Sequence, residues 1–307
     1  YCNMTQAKES NFISAVVYLR NDAARVAPFL KAVCAQLEEH FAQYELIAVD
    51  DCSTDGTAQA VRDFAARTLT KPLTLLHMSL AQGVELCMNA GQDCAIGDFV
   101  YEFDAADLCY DPALIWKAYE TALLGNDVVS VGPSRQKLAS RAFYGVFNRF
   151  SRSAYPIATD AFRLLSRRGI NRVHAISPGL PYRKAAYAAS GLAQATLTFD
   201  GVMARRTGDM TLAADSLVLY TNAGFKLSFG VAAGMMALAL LELVYTLAVF
   251  FGHRFVEGWV TTMFVLTVGF AGVFGILAIV IKYLSLILEM VFRRQTYLVE
   301  SVEKIQK

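Results

Sequence analysis

The sequence predicts an α/β fold: a mostly parallel sheet in a domain of about 200 residues, followed by two transmembrane helices. Three observations predict it. Between Phe12 and Val131, short β-rich apolar runs alternate with segments of helical period. Two long apolar stretches, Leu227–Phe251 and Trp259–Ile281, follow. Basic residues flank that pair of stretches and are nearly missing between them. The expected organisation is a cytoplasmic domain over residues 1–200, a juxtamembrane amphipathic segment over 201–226, spans at 227–251 and 259–281, and a cytoplasmic tail over 282–307.

The elements follow in order. Phe12–Leu19 is an apolar, β-rich run and reads as a strand. Ala24–His40 places Val26, Phe29, Leu30, Val33 and Leu37 on one side of a helix. Tyr44–Val49 is a second strand, ending in Asp50 and Asp51; Ser53–Gly56 has turn chemistry and Thr57–Ala66 helical spacing. Leu73–Met78, Phe99–Phe103 and Asp127–Val131 are further strands, with helices at Val84–Ala95 and Ala113–Leu124 between them. Such alternation argues a sheet covered on both faces. Ligands of such sheets bind beyond the C-terminal ends of the strands, so polar residues at those ends are the first candidates for function.

Two acidic clusters sit there. Asp50-Asp51 closes the second strand, and a carboxylate in that place can accept hydrogen bonds from ribose hydroxyls or a base N–H. Asp104 and Asp107 follow the fourth strand, where paired carboxylates can hold Mg²⁺ or Mn²⁺ and so neutralise a diphosphate. Asp55 and Thr57 also fit a plain turn with a helix N-cap. No GxGxxG or GxxxxGK[ST] follows the first strand, which argues against dinucleotide oxidoreductases and P-loop NTPases. With 28 basic against 27 acidic side chains, no bulk attraction to nucleic acid is indicated.

The apolar fraction of 55% and mean hydropathy of +0.37 are high for a soluble protein, and the excess is concentrated in the two stretches. Each is longer than the ~20 residues needed to cross a bilayer core. Arg205, Arg206 and Lys226 precede the first; Lys282, Arg293, Arg294, Lys304 and Lys307 follow the second; the connection carries only His253, Arg254 and Glu257. The positive-inside rule then predicts both termini and the domain in the cytoplasm, on the inner membrane. The polar opening residues Tyr1–Asn11 predict no secretory leader. Glu242, in mid-span, predicts a partner, as at an oligomer interface, or a polar cavity. The pair Gly230 and Gly234, with Gly269, Gly272 and Gly275, permits close helix contact within or between chains, and a homo-oligomer is expected. Tyr182–Gly191 and Thr211–Tyr220 are amphipathic and are expected along the membrane surface. The six cysteines, without a CxxC pair, read as small buried residues of a reducing compartment.

Several segments resemble a known family. Asn21-Asp22 after the first strand, VDDCSTDGT at Val49–Thr57, NAGQDCAIGD at Asn89–Asp98 and DAADLCYDP at Asp104–Pro112 resemble, in that order, the family 2 glycosyltransferases. TDAFRLLSRRGINRV at Thr159–Val173, ARRTGDMTLAAD at Ala204–Asp215 and KYLSLILEMVFRRQTYLVE at Lys282–Glu300 are similar to its polyisoprenyl-phosphate branch, relatives of dolichyl-phosphate mannose synthase with two C-terminal transmembrane helices. The resemblance implies a Rossmann-like, A-type glycosyltransferase domain. It also implies inverting transfer from a nucleotide sugar to an undecaprenyl-type phosphate for cell-surface glycan assembly or modification, with Mg²⁺ or Mn²⁺ as cofactor and membrane lipid as partner.

Residue by residue, the resemblance gives Asp22, Asp50 and Asp51 to the nucleotide, and Asp104 and Asp107 to the metal-binding acidic motif. Asp104, Asp107 and Asp160 become the catalytic candidates. Arg163, Arg167 and Arg168 become candidates for phosphate groups; Arg205 and Arg206 suit either the lipid phosphate or a positive-inside anchor. The basic loop 133–155 suits either closure over the site or contact with anionic headgroups. The family usually has one residue between its paired carboxylates, where this chain has Ala105 and Ala106; Cys52 and Leu80-Ala81 also replace the usual glycine and Arg-Asn pair. The divergence leaves open a weakly active or inactive homologue acting as a binding or partner subunit.

Overall fold

The computed structural model describes residues 8–68, 71–135, 155–176, 182–201 and 297–305, with scattered positions within 144–149 and 230–287. Eight strands form one sheet: β1 (Ile13–Leu19), β2 (Tyr44–Asp50), β3 (Leu73–Met78), β4 (Phe99–Phe103), β5 (Val128–Pro133), β6 (Phe162–Ser166), β7 (Gln194–Phe199) and β8 (Val299–Ile305). The helices are α1 (Ala23–His40), α2 (Thr57–Thr68), α3 (Val84–Cys94), α4 (Ala113–Leu123), α5 (Arg167–Ile176) and α6 (Arg183–Ala189).

The strand order is β7-β5-β6-β4-β1-β2-β3-β8. The central four, β4-β1-β2-β3, are parallel. Their apolar runs are buried on both faces, as parallel strands under crossover helices must be. In α1, the five apolar residues singled out by their spacing are all buried. The predicted α/β architecture with a mostly parallel sheet is therefore present, and the first nine elements fall where periodicity placed them.

Three strands lack a periodic signal strong enough to predict them. β6 is antiparallel to both β4 and β5. β7 then pairs parallel with β5. β8, within the segment expected as a tail, closes the far edge antiparallel to β3. Its sequence VESVEKI is charged and largely exposed, as a solvated edge strand should be.

α3 lies unusually close to the sheet. A Cβ on Gly91 would sit 2.3 Å from Val16 Cγ1 and 3.0 Å from Val49 Cγ2, so only glycine permits this approach over β1 and β2. The expectation of Tyr182–Gly191 on a membrane surface is corrected. α6 is an interior helix, with Ala185, Ala186, Tyr187 and Ala188 buried, because its polar residues find partners inside the domain. Among the described residues the cysteines divide: Cys34 and Cys87 are buried, Cys52 and Cys109 half-buried, and Cys94 is exposed.

A second compact unit comprises residues 149–152 and 208–294. The segment 201–226, the spans 227–251 and 259–281, and the stretch Thr211–Tyr220 lie for the most part outside the described residues, as does the loop 133–155. Among the described residues, no helix is long and apolar enough to cross a membrane. Within this unit, a Cβ on Gly272 would lie 2.7 Å from the Met235 Cγ, so the two segments approach where the small-residue pattern allows it.

Gly91→Ala is expected to lower stability by about 1–3 kcal/mol through overpacking against Val16 and Val49. Urea or thermal unfolding of the purified variant checks this.

Candidate active site

The parallel register brings the C-terminal ends of β1, β2 and β4 to one edge: Leu19 pairs with Asp50 and Val17 with Phe103. The two loops leaving β1 and β2 clasp each other there. Asn21 and Cys52, both at φ 53°, turn the chain in the left-handed region. Asn21 N–H donates to Ser53 Oγ at 3.0 Å, and Thr54 N–H returns to Asn21 Oδ1 at 2.9 Å. Asp22 N–H donates to Thr57 Oγ1 at 2.8 Å, and Asp55 accepts from Ala23 N–H at 3.0 Å. The N-cap reading of Asp55 and Thr57 thus holds in part: Asp55 caps its own turn, accepting from Thr57 N–H at 3.1 Å, and serves the neighbouring loop as well.

Asp51 is the fully buried centre of this edge. Its Oδ1 accepts from Gln82 N–H at 2.7 Å; its Oδ2 accepts from Tyr18 O–H at 2.9 Å, Arg20 Nη1 at 3.1 Å and Gly83 N–H at 3.1 Å. Burial pushes the Asp51 carboxyl up, but bonds from Gln82, Tyr18, Cys87 and Gly83 outweigh it and hold the group below the ordinary aspartate value. Asp51 therefore organises the site from beneath. The exposed group it presents is Arg20, whose side chain is 47% accessible. Asp22 accepts from Arg20 N–H at 3.0 Å and pairs with Arg25. Asp50, also buried, faces His77 Nδ1 at 3.7 Å.

A second cluster is built by β4, β6, α3 and α6. Glu102 and Arg163 are register partners on adjacent strands. Arg163 Nε donates to Glu102 Oε2 at 2.9 Å, Nη2 to Asp104 Oδ2 at 2.8 Å and Nη1 to Asp160 Oδ2 at 3.1 Å. Arg183 Nε donates to Glu85 Oε2 at 2.8 Å, Nη1 to Glu102 Oε1 at 2.7 Å and Nη2 to Asp104 Oδ1 at 2.6 Å. Lys184 pairs with Asp160. Tyr187 O–H and Gln92 Nε2 add donors to Glu102. Burial lowers the affinity of both guanidinium groups for their protons; Asp104 and the other carboxylates around them outweigh it and raise their pKa values well above the usual range. Four carboxylates (Glu85, Glu102, Asp104, Asp160) thus face three cations (Arg163, Arg183, Lys184). A cavity of about 80 Å³ adjoins the cluster, lined by Ser130, Thr159, Asp160, Arg163, Lys184 and Tyr187 among others.

The structure thus brings Asp104, Asp160 and Arg163 together. Arg163, however, is 2% exposed and fully engaged by carboxylates, which corrects its assignment to a phosphate. Both Asp104 oxygens accept from guanidinium groups. Asp107 is half-buried at the same strand end and makes no ion pair among the described residues. Arg167 is corrected too. Its Nε and Nη2 donate to Gly97 O at 3.0 Å and Ala95 O at 2.7 Å, at the opposite end of β4. Arg168 sits there as well, on Asp127 at 2.7 Å. Arg205 and Arg206 lie outside the described residues. Among the described residues, no group of three or more His, Cys, Asp or Glu could hold a metal ion.

Glu85, Glu102, Arg183, Lys184 and Tyr187 escaped the sequence reading. Glu102 carried a signal: it is the lone charge in the apolar strand FVYEF. The i, i+4 pair Arg183 and Tyr187 was visible as amphipathic spacing but pointed to the wrong surroundings.

Fold and site together define an α/β domain of the A-type glycosyltransferase class, with a mixed, mostly parallel sheet. The family model for glycosyl transferase family 2 matches residues 14–189. The chain belongs to that family. It is 29% identical over 187 residues to the undecaprenyl-phosphate 4-deoxy-4-formamido-L-arabinose transferase of Edwardsiella ictaluri, spanning 58% of this chain and 57% of that enzyme. In matches of this kind the chain spans about half the relative's own length. A transferase of the same name from Proteus mirabilis is 26% identical, with 99% of this chain and 98% of that one covered. Among solved structures, a mannosyltransferase from Pyrobaculum calidifontis in complex with GDP-Man and Mn²⁺ superposes with a TM-score of 0.50 at 18% identity, covering 88% of each chain. That likeness is one of fold.

Glu102→Gln is expected to cost about 1–3 kcal/mol, because it weakens an acceptor shared by two buried guanidinium groups that keep Asp104, Asp160 and Glu85. Arg167→Gln, at the far end of the sheet, is expected to cost about 1–2 kcal/mol and to leave donor KM unchanged; unfolding and kinetics compare the two. For Asp51→Asn, a loss of about 3 kcal/mol is expected at pH 7. Since the folded-state pKa is depressed, the wild-type advantage is present above the ordinary aspartate value of 3.8 and shrinks as pH falls below it. Urea midpoints of both proteins at pH 7, 4 and 3 measure that convergence.

Proposed function

We propose that the protein transfers a sugar from a nucleotide sugar, with inversion, to an undecaprenyl-type polyisoprenyl phosphate, serving cell-surface glycan assembly or modification. The observation that carries this reading is the line of carboxylates Asp22, Asp50, Asp51, Asp104 and Asp107 along one end of the sheet in a family 2 glycosyltransferase. That end is where open α/β sheets bind nucleotides. The acceptor is argued from the relatives named as undecaprenyl-phosphate transferases, one of them aligned over nearly the whole chain.

The chemistry suits the site. A phosphate monoester is already anionic near neutral pH, so positioning counts for more than proton removal. The leaving nucleoside diphosphate develops charge that cationic groups or a metal must meet. Arg20 is a half-exposed cation at the strand ends. Mg²⁺ or Mn²⁺ would be held by Asp107, whose carboxylate is half-buried and makes no ion pair among the described residues. When bound, such an ion neutralises the diphosphate. Asp104, between two guanidinium groups, serves to fix the loop that carries Asp107, and Asp160 holds Arg163 and Lys184 beside it.

The membrane assignment rests on the stretches 227–251 and 259–281 and their flanking charges. β8 supports a hairpin of two spans. β7 ends at Phe199 and β8 joins the same sheet at Val299, so any crossings between them must be even in number. The cytoplasmic face of the inner membrane is then the site of reaction, and residues 201–226 and 282–296 are the membrane-proximal segments.

Membranes bearing the protein, given undecaprenyl phosphate, Mg²⁺ or Mn²⁺ and a panel of radiolabelled nucleotide sugars, are expected to yield an organic-extractable lipid-linked sugar with one donor. Chelation should abolish it, and Asp107→Asn should reduce kcat by about 10²–10³. A panel that gives no lipid-linked product with wild-type protein sinks the reading and favours a binding subunit.

A further inference from the structure

We infer that Gln82 is a positioning residue, tying the chain that returns from residues 208–294 to the Asp51 edge of the site. The inference rests on reading that edge as the donor side. Gln82 bonds in two directions. Its backbone N–H donates to Asp51 Oδ1 at 2.7 Å. Its side-chain amide pairs with the main chain of Leu298: Nε2 donates to Leu298 O at 2.7 Å, and Leu298 N–H donates to Oε1 at 2.9 Å. The amide thus makes the two-bond exchange that a strand residue would make. Ser79 N–H joins it on Leu298 O at 3.2 Å.

The loop has little else to hold it. Ser79, Leu80 and Ala81 are exposed, so no apolar anchor fixes residues 79–83. Gly83, at φ 82°, gives its N–H to Asp51. The loop is therefore pinned between a buried carboxylate on one side and the returning chain on the other. A second route runs parallel. Glu303 on β8 bonds Arg62 Nε at 3.0 Å and faces His77 Nε2 at 3.5 Å, while His77 Nδ1 faces Asp50 at 3.7 Å. The returning segment thus reaches the supports of both adjacent aspartates, and displacement of that segment should be felt as altered donor binding.

The test uses the full chain in detergent or native membranes, with Gln82→Ala, Leu298→Pro and the double variant. Leu298→Pro removes the N–H that Gln82 Oε1 accepts at a position before β8, where proline costs no ladder bond of the strand. Hydrogen exchange needs no substrate: the Gln82 and Gly83 amides are expected to exchange about tenfold faster in each variant. With the donor found above, KM for the nucleotide sugar is expected to rise about five- to twentyfold while kcat and acceptor KM change less than about twofold. The double variant should be no worse than either single one. Unchanged exchange, additive effects or an unchanged donor KM each overturn the inference. Faster exchange in the variants, with a wild-type protein that turns over no donor, would instead overturn the donor-side reading and leave the mechanical link standing.

Discussion

The geometry of the candidate site depends on the clamp of Asp104 between Arg163 and Arg183. Both guanidinium groups are buried, and burying them alone would be prohibitive. Their charge is tolerated because Glu102, at the register position opposite Arg163, accepts from both, with Tyr187 and Gln92 adding donors. The cluster joins two central elements, β4 and α3, to two later ones, β6 and α6. It aligns the end of β4 and so the acidic turn that follows. Loss of either arginine would leave buried carboxylates with one cation fewer to compensate them.

Asp51 solves a related problem differently. Among the described residues it has a single cation, Arg20, and is satisfied mainly by N–H and O–H groups. Arg20 keeps half its surface in solvent, so the buried charge stiffens a cation that can still meet a ligand. The two clusters therefore divide the labour: the Asp104 cluster fixes the floor beneath the acidic turn, and the Asp51 cluster shapes the loops around it.

How much of this was legible in the sequence follows from the range of each interaction. Strands β1 to β5 and helices α1 to α4 were legible because their burial is a local matter of period. The acidic ends of β2 and β4 were legible because the parallel order forces them to one edge. The partners were not. Arg163 reads as a phosphate ligand in sequence, since nothing near it announces that Glu102, 61 positions away, will take its charge. Arg167 and Arg168 look equally suited to phosphate, and only the antiparallel course of β6 carries them to the opposite end. α6 has the alternation of a surface helix, yet its polar face meets Glu85, Glu102 and Asp104 inside the domain. β8 was hidden by its charge, which marks an edge strand and a solvated tail alike.

That eighth strand bears on how the protein is made. β7 ends at Phe199 and β8 begins at Val299, so about 100 residues are synthesised after the rest of the sheet is complete. At ordinary translation rates this is about 5–20 s. Throughout that interval the outer edge of β3 is an unpaired row of N–H and C=O groups, open to wrong partners. The strand that covers it is among the later segments to emerge, and until it arrives the domain is unfinished at the edge beside Asp50 and Asp51.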